Sequence, residues 1–206
     1  MIRRFAPLAV AIVLGSLAAP AFAQQAGEWT IGLGAHQVNP KSDNGSLAGG
    51  TLDADVGSNV RPTITAEYFL RDNLGLEVLA SFPFQHDLNI VGLGRVGSTK
   101  HLPPTVSLQY HFGQGTVKPF IGGGVNYTRF FSTDTSGALA GSELELDDSF
   151  GLAVHAGIDF EVSQNGSIRI DARWIDIDTD VKLDGADIGT VNIDPLVYGA
   201  AYVFKF

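Results

Sequence analysis

Residues 167–177 read SIRIDARWIDI. In an extended chain successive side chains point to opposite faces, so Ile168, Ile170, Ala172 and Trp174 share one side, and Arg169, Asp171 and Arg173 share the other. A strand of a soluble sheet has the same period, with its polar face in water and its apolar face on a core. Which way the charged face looks therefore decides the fold, and the rest of the chain has to answer it.

The same rhythm recurs seven more times. Residues 28–38, 62–71, 74–84, 104–112, 118–131 and 149–161 alternate in the same way, and so does the C-terminal YGAAYVFKF, Tyr198 to Phe206. The connections alternate too. Short links at about 71–73, 113–117 and 162–166 interleave with long polar stretches at 39–61, 85–101, 132–148 and 178–194. Eight strands with tight turns on one rim and loops on the other describe an up-and-down antiparallel meander. Strands of about 9–11 residues are also what a tilted membrane crossing needs.

Composition narrows the class. The chain begins MIRR, continues with an apolar run from Phe5 to about Ala19 and offers AFA at 21–23. This pattern predicts a secretory signal peptide over residues 1–23, because the run is shorter than the ~20 residues of a membrane helix. A retained anchor helix is the alternative that the length argues against. The mature chain then starts near Gln24 as one barrel domain, 24–206. It has no cysteine, so stability comes from packing and closed hydrogen bonding rather than disulfides. The net charge is −9, and losing Arg3 and Arg4 with the leader makes the mature chain more acidic still. Nucleic acid is excluded as a partner by that balance.

Collected over all strands, one face holds Trp, Ile, Leu, Val, Ala, Phe and Tyr with almost no charge. The other holds Glu67, Arg71, Glu77, His111, His155, Asp159, Glu161, Arg169, Asp171, Arg173 and Lys205. A lipocalin-like soluble barrel shares the alternation but encloses the apolar face. The pattern here predicts the inverse: a transmembrane β-barrel of the bacterial outer membrane, apolar toward lipid and polar within. With the short turns toward the periplasm, Glu67, Arg71, Glu77, His111, Asp159, Arg169, Asp171 and Lys205 fall in the lower half and are expected to form one network of ion pairs and hydrogen bonds. Toward the loops the inward list softens to Leu79, Phe130, Ile175, Ile177 and Val197, with His155 between. A channel lined by Leu79, Phe130, His155, Arg173, Ile175 and Val197 is expected there.

No chemistry is expected of the interior. The five histidines show no metal-ligand spacing, and Ser107 with His111 makes no triad, so no catalytic residue, cofactor or metal is assigned. The acidic loops SELELDDS (142–149) and DIDTDVKLDGADIG (176–189) lack the ligand spacing of a calcium loop and read as solvated surface. HLPP, 101–104, reads as a strand entrance, since proline cannot donate to a ladder.

Taken in order, DNLGLEVLASFPFQH (72–86), KHLPPTVSLQYHFG (100–113), KPFIGGGVNYTRFF (118–131), DDSFGLAVHAGIDF (147–160), WIDIDTDVKL (174–183) and DPLVYGAAYVFKF (194–206) make the chain resemble the OmpW family of outer-membrane proteins. The resemblance implies an eight-stranded barrel with a narrow, largely hydrophobic interior and passive passage of small hydrophobic molecules. It also implies an apolar constriction at Leu79, and it places Arg173 where the family has an aromatic partner. Asp171 and Asp159 are the expected partners of that guanidinium. Tyr198, Tyr202, Phe204 and Phe206 resemble the C-terminal signal read by the barrel-assembly machinery. Expected partners are therefore outer-membrane lipid, lipopolysaccharide, that machinery and small hydrophobic molecules. The alternative function is a structural or receptor barrel whose acidic loops bind ions, phage, toxins or host molecules without transport.

Overall fold

The computed structural model describes residues 24–113 and 115–206, so the expected signal peptide lies outside the described residues. The strands in chain order are β1 (Trp29–Asn39), β2 (Ser46–Leu47), β3 (Leu52–Val56), β4 (Asn59–Arg71), β5 (Leu74–Ser81), β6 (Phe84–Ile90), β7 (Gly94–Leu102), β8 (Thr105–His111), β9 (Val117–Thr135), β10 (Leu144–Leu146), β11 (Ser149–Ser163), β12 (Gly166–Ile175), β13 (Asp178–Leu183), β14 (Ala186–Asn192) and β15 (Leu196–Lys205). Eight of them, β1, β4, β5, β8, β9, β11, β12 and β15, pair antiparallel in a ring that closes through β9 and β11. The fold is therefore an all-β, eight-stranded antiparallel closed barrel. At the tight rim the β4–β5 and β11–β12 turns are two residues each; Asn73, in the turn between β4 and β5, takes φ 64°, which asparagine tolerates well.

The faces follow the alternation. Leu33, Ile64, Leu108, Ile121, Leu152, Ile170, Trp174 and Tyr198 are exposed on the outer wall, while Glu67, Glu77, His111, Asp159, Arg169, Asp171 and Arg173 are buried inside. No described helix is long and apolar enough to cross a membrane; the crossing elements are the strands.

The long connections depart from the expectation of polar loops. They fold as a second storey of β-structure above the barrel. The β6–β7 hairpin pairs with β3 and with the upper part of β9, and β10, β13 and β14 make a separate three-stranded sheet. Their acidic residues masked a period-two pattern: Leu52, Ala54 and Val56 alternate with Asp53 and Asp55, and Val181 and Leu183 alternate with Asp180 and Lys182. β9 ties the storeys together, pairing with β8 below Asn126 and with β7 above Leu102. A bulge separates Lys100↔Phe131 from Ser98↔Asp134, and Ser132 takes φ 50° within it. The expected strand 74–84 also breaks. β5 ends at Ser81, Pro83 interrupts the ladder, and Phe84 turns inward instead of toward lipid, 2% exposed at the start of β6.

At Gly124 the neighbouring strand leaves no room for a side chain: a Cβ there would lie 1.9 Å from the Val106 carbonyl oxygen and 2.6 Å from the Ser107 Cα. Gly124→Val is expected to lower folded stability by about 1–3 kcal/mol through forced backbone displacement. Urea unfolding of the barrel in lipid vesicles, followed by tryptophan fluorescence, measures it.

Candidate functional site

The interior divides into a charged plug and an apolar core whose upper part encloses a cavity, and β12 runs from the plug into that core. Along its inward face Arg169, Asp171 and Arg173 give way to Ile175, a single step of about 7 Å from charge to hydrocarbon. In the plug Glu77 bridges the two arginines, taking Arg169 Nη1 at 2.8 Å on one oxygen and Arg173 Nη1 at 2.7 Å on the other. Arg169 also forks onto Asp159 at 2.7 and 2.9 Å, reaches Glu67 at 3.4 Å and stacks its guanidinium 4.5 Å from the Phe120 ring centre. Arg173 Nε donates to Asp171 at 2.8 Å. His111 Nε2 lies 2.8 Å from Glu67, and Gln109 links Glu67 to His155 at 3.0 and 2.9 Å. His36 adds a last link, 3.3 Å from Asp171 and 2.7 Å from the Thr63 hydroxyl.

Six of the eight expected network residues thus come together: Glu67, Glu77, His111, Asp159, Arg169 and Asp171. Two do not. Arg71 ends β4 at the periplasmic turn and is exposed, and Lys205 sits at the rim paired with Glu28 at 2.9 Å, because the inward face runs out into water at both positions. Arg173, expected to line a channel, belongs to the plug; its partners are Asp171 and Glu77, while Asp159 serves Arg169. His36 is the member that sequence reasoning passed over, although its place on the polar face of β1 was visible.

The cavity stands above. It encloses about 80 Å³ and is lined by Leu47, Leu52, Val56, Leu88, Ile90, Val96, Phe130, Leu139, Leu144, Val181, Val191 and Ile193, among others. Of the six residues expected to line a channel, Phe130 alone reaches it. Ile175 and Val197 belong to the same buried apolar cluster one layer lower, and Leu79 and His155 lie in the barrel proper. The reason is the second storey: the apolar centre rises above the barrel into hairpins that the loop reading left empty. Those hairpins are pinned from outside by Arg95–Asp87 at 2.9 Å and Lys182–Asp147 at 2.8 Å. From inside, Asn44 donates to the Asn192 carbonyl at 2.8 Å and accepts the Val56 N–H at 3.0 Å.

Two imidazoles form part of the polar floor. His86 bonds the Gly57 carbonyl through Nδ1, and its Nε2 meets His101 Nε2 at 2.8 Å; His101 stacks between Phe84 and Phe130. A carbonyl oxygen can only accept, so His86 Nδ1 carries the proton and His101 Nε2 donates to His86. At the upper rim the carboxylates of Asp176, Asp178 and Asp194 converge within 4.8 Å. Lys41 neutralises part of that charge through Asp194 at 2.8 Å, and burial followed by the Asp194 and Asp176 charges raises the Asp178 pKa above its usual range.

A recess of about 450 Å³ opens in the outer wall where β4 and β5 part from the second storey, lined by Leu33, Gly34, Pro62, Ile64, Phe82, Pro83 and Leu102. Pro62, Pro83, Pro103 and Pro104 cluster along this seam, where the ladder from β5 to β8 stops at Leu79↔Thr105. A missing N–H costs nothing where no partner strand follows.

Comparison with known proteins matches residues 25–206 to the OmpW family. Outer membrane protein W of Vibrio cholerae serotype O1 is 37% identical over 212 residues, covering 97% of each chain, and that of Escherichia coli K12 is 34% identical over 198 residues, covering 92% of this chain and 93% of the relative. The crystal structure of OprG from Pseudomonas aeruginosa superposes with a TM-score of 0.78 at 31% identity, over 88% of this chain and 97% of that one.

Glu77→Ala removes the carboxylate shared by two buried guanidinium groups and is expected to cost about 3–5 kcal/mol, because both charges lose a partner where water cannot replace it. Glu28→Ala, which breaks the rim pair with Lys205, is expected to cost about 1 kcal/mol or less. Paired urea titrations in vesicles measure the contrast.

Proposed function

The chain belongs to the OmpW family, a family of outer-membrane β-barrels, and from that premise we propose that it takes up small hydrophobic molecules passively, through the apolar cavity and out sideways into the bilayer. The reading involves no catalysis and no cofactor. The observation that carries it is the sharp boundary on β12 between the apolar core that encloses the chamber above and the charged plug below.

Magnitudes choose the route. Burying about 100 Å² of apolar solute surface gains roughly 2.5 kcal/mol, whereas separating a buried ion pair costs about 3–5 kcal/mol, and the plug holds several pairs in series. A hydrocarbon solute gains nothing from Arg173 or Glu77 that would offset their separation. The recess beside Pro62, Pro83 and Leu102 offers the other direction, toward lipid, where a hydrophobic solute is as well solvated as in the cavity. At about 80 Å³ the chamber holds a few carbon atoms at a time, about half the volume of a cavity that accommodates benzene, so longer molecules need its aliphatic side chains to move.

Val181→Asp places a carboxylate in the chamber wall. Uptake of an apolar fluorescent solute by cells or vesicles carrying the barrel is expected to fall about tenfold or more, with the barrel still folded by its heat-dependent gel shift. Uptake equal to that of the parent chain would rule the chamber out as the path. Planar-bilayer recordings of the parent barrel are expected to be silent in simple salt, because ions have no open way past the plug.

A further inference from the structure

Among the described residues, two cations face outward on the extracellular side with no ion pair, Lys100 and Arg129. Their neighbours behave differently: Lys41, Arg95 and Lys182 are each held by a carboxylate at 2.8, 2.9 and 2.8 Å, and Arg61 turns its Nε to the Pro83 carbonyl at 2.9 Å. In a chain of net charge −9, crowded with aspartates at this end, two adjacent cations without carboxylate partners are unexpected.

Their position is specific. In the β7–β9 ladder Lys100 stands opposite Phe131 and Leu102 opposite Arg129, so Lys100 and Arg129 are diagonal neighbours. The residues beside them, His101 and Phe130, point inward and are buried, which sets both cations on the outer wall. Gln85 lies across from Lys100 on β6, and its amide nitrogen donates to the Ser98 hydroxyl at 3.5 Å. Asp148 is also near this wall, but the Phe130 N–H and the Tyr127 hydroxyl engage its two oxygens.

The height of the pair selects its partner. Two residues below Arg129 on the same face, Tyr127 begins an exposed apolar run through Val125 to Ile121, and Phe150, opposite Tyr127, is 72% exposed. Lys100 and Arg129 therefore occupy the first level above the hydrocarbon belt, where the head groups of the outer leaflet lie. We propose that they dock a phosphate of the phosphorylated glycolipid of that leaflet, lipopolysaccharide, with its acyl chains against the Tyr127 and Phe150 wall. Arg129 supplies a planar donor fork and Lys100 a mobile point charge, which together suit an oxygen-rich dianion. This site is separate from the cavity and independent of any solute path.

The test titrates the folded mature barrel in detergent with lipid A, with the same glycolipid after enzymatic removal of its phosphates, and with inorganic phosphate, counting bound lipid by mass spectrometry of the intact complex. The Lys100→Gln/Arg129→Gln double variant is expected to bind lipid A roughly thirtyfold more weakly. Dephosphorylated glycolipid is expected to bind parent and variant alike, at that weaker level. The Arg95→Gln/Lys182→Gln double variant, which also removes two positive charges, serves as the charge-matched control and is expected to leave binding unchanged, while the exchange Lys100→Arg/Arg129→Lys is expected to preserve it. The gel shift establishes that each variant is folded, and if the double variant is not, the two single variants carry the test. Double-variant affinity within about twofold of the parent, or equally tight binding of the dephosphorylated lipid, would overturn the proposal. So would displacement of lipid A by inorganic phosphate alone, which would make the site one for free anion.

Discussion

Hydrocarbon offers no hydrogen bonds, so every amide in the crossing segments must find its partner within the protein. For strands this leaves one solution, a sheet without edges, and the pairing of β9 with β11 from Ser149↔Thr128 down to Phe160↔Val117 is what removes the last two. Closure then dictates everything inside. A ring of eight strands has an interior just wide enough for side chains, and alternation delivers the second face of every strand into it. Since the outer face must be apolar, whatever charge the strands carry is enclosed, and enclosed charge must pair. The Arg169, Arg173, Glu77, Asp159 and Asp171 constellation is thus a consequence of closure and its stabilising complement at once.

The two storeys answer different constraints. Inside the membrane-spanning ring the outer wall has to be apolar, so polarity is pushed inward. Above it the outer wall faces water, so the alternation inverts: Asp53, Asp55 and Asp180 turn outward while Leu52, Val56 and Val181 turn in. The switch from charged plug to apolar core within β12, between Arg173 and Ile175, marks where one regime gives way to the other. The prolines at 62, 83, 103 and 104 sit at the same seam, since a strand that leaves one sheet for another has donors it cannot use.

Much of this was written in the sequence, and the remainder was hidden for definite reasons. Charge confined to one face of SIRIDARWIDI and its seven companions was enough to give strand number, inside and outside, and most members of the plug. The partners within it were not legible, because Glu77 meets Arg169 and Arg173 across a barrel whose register no local pattern specifies; this is why Asp159 and Asp171 were paired with Arg173 in expectation and only Asp171 in fact. The apolar chamber was missed for the opposite reason. Its residues lie in short hairpins dense with aspartate, where average polarity says loop although the period says strand. Leu79 is buried, as its inward placement on β5 implied, but it lies outside the chamber wall, and the chamber's own position above the barrel was illegible because the stacking of a second sheet is a tertiary fact.

The charged face also specifies the structure it burdens. A strand that is apolar on both sides can slip by one residue at little cost, since its two faces are interchangeable. Slipping β12 by one position would carry Arg169, Asp171 and Arg173 onto the lipid wall, where an arginine near the midplane costs about 2–4 kcal/mol, and would bring Ile168, Ile170 and Trp174 into a lumen without room for them. The guanidinium groups would in addition lose Glu77, the one acceptor common to both. An interior of ion pairs is therefore a poor source of stability compared with a packed apolar core of the same volume, yet a strong selector of register. In a barrel whose outer face is uniformly greasy, register is the property that the sequence has fewest other means to fix.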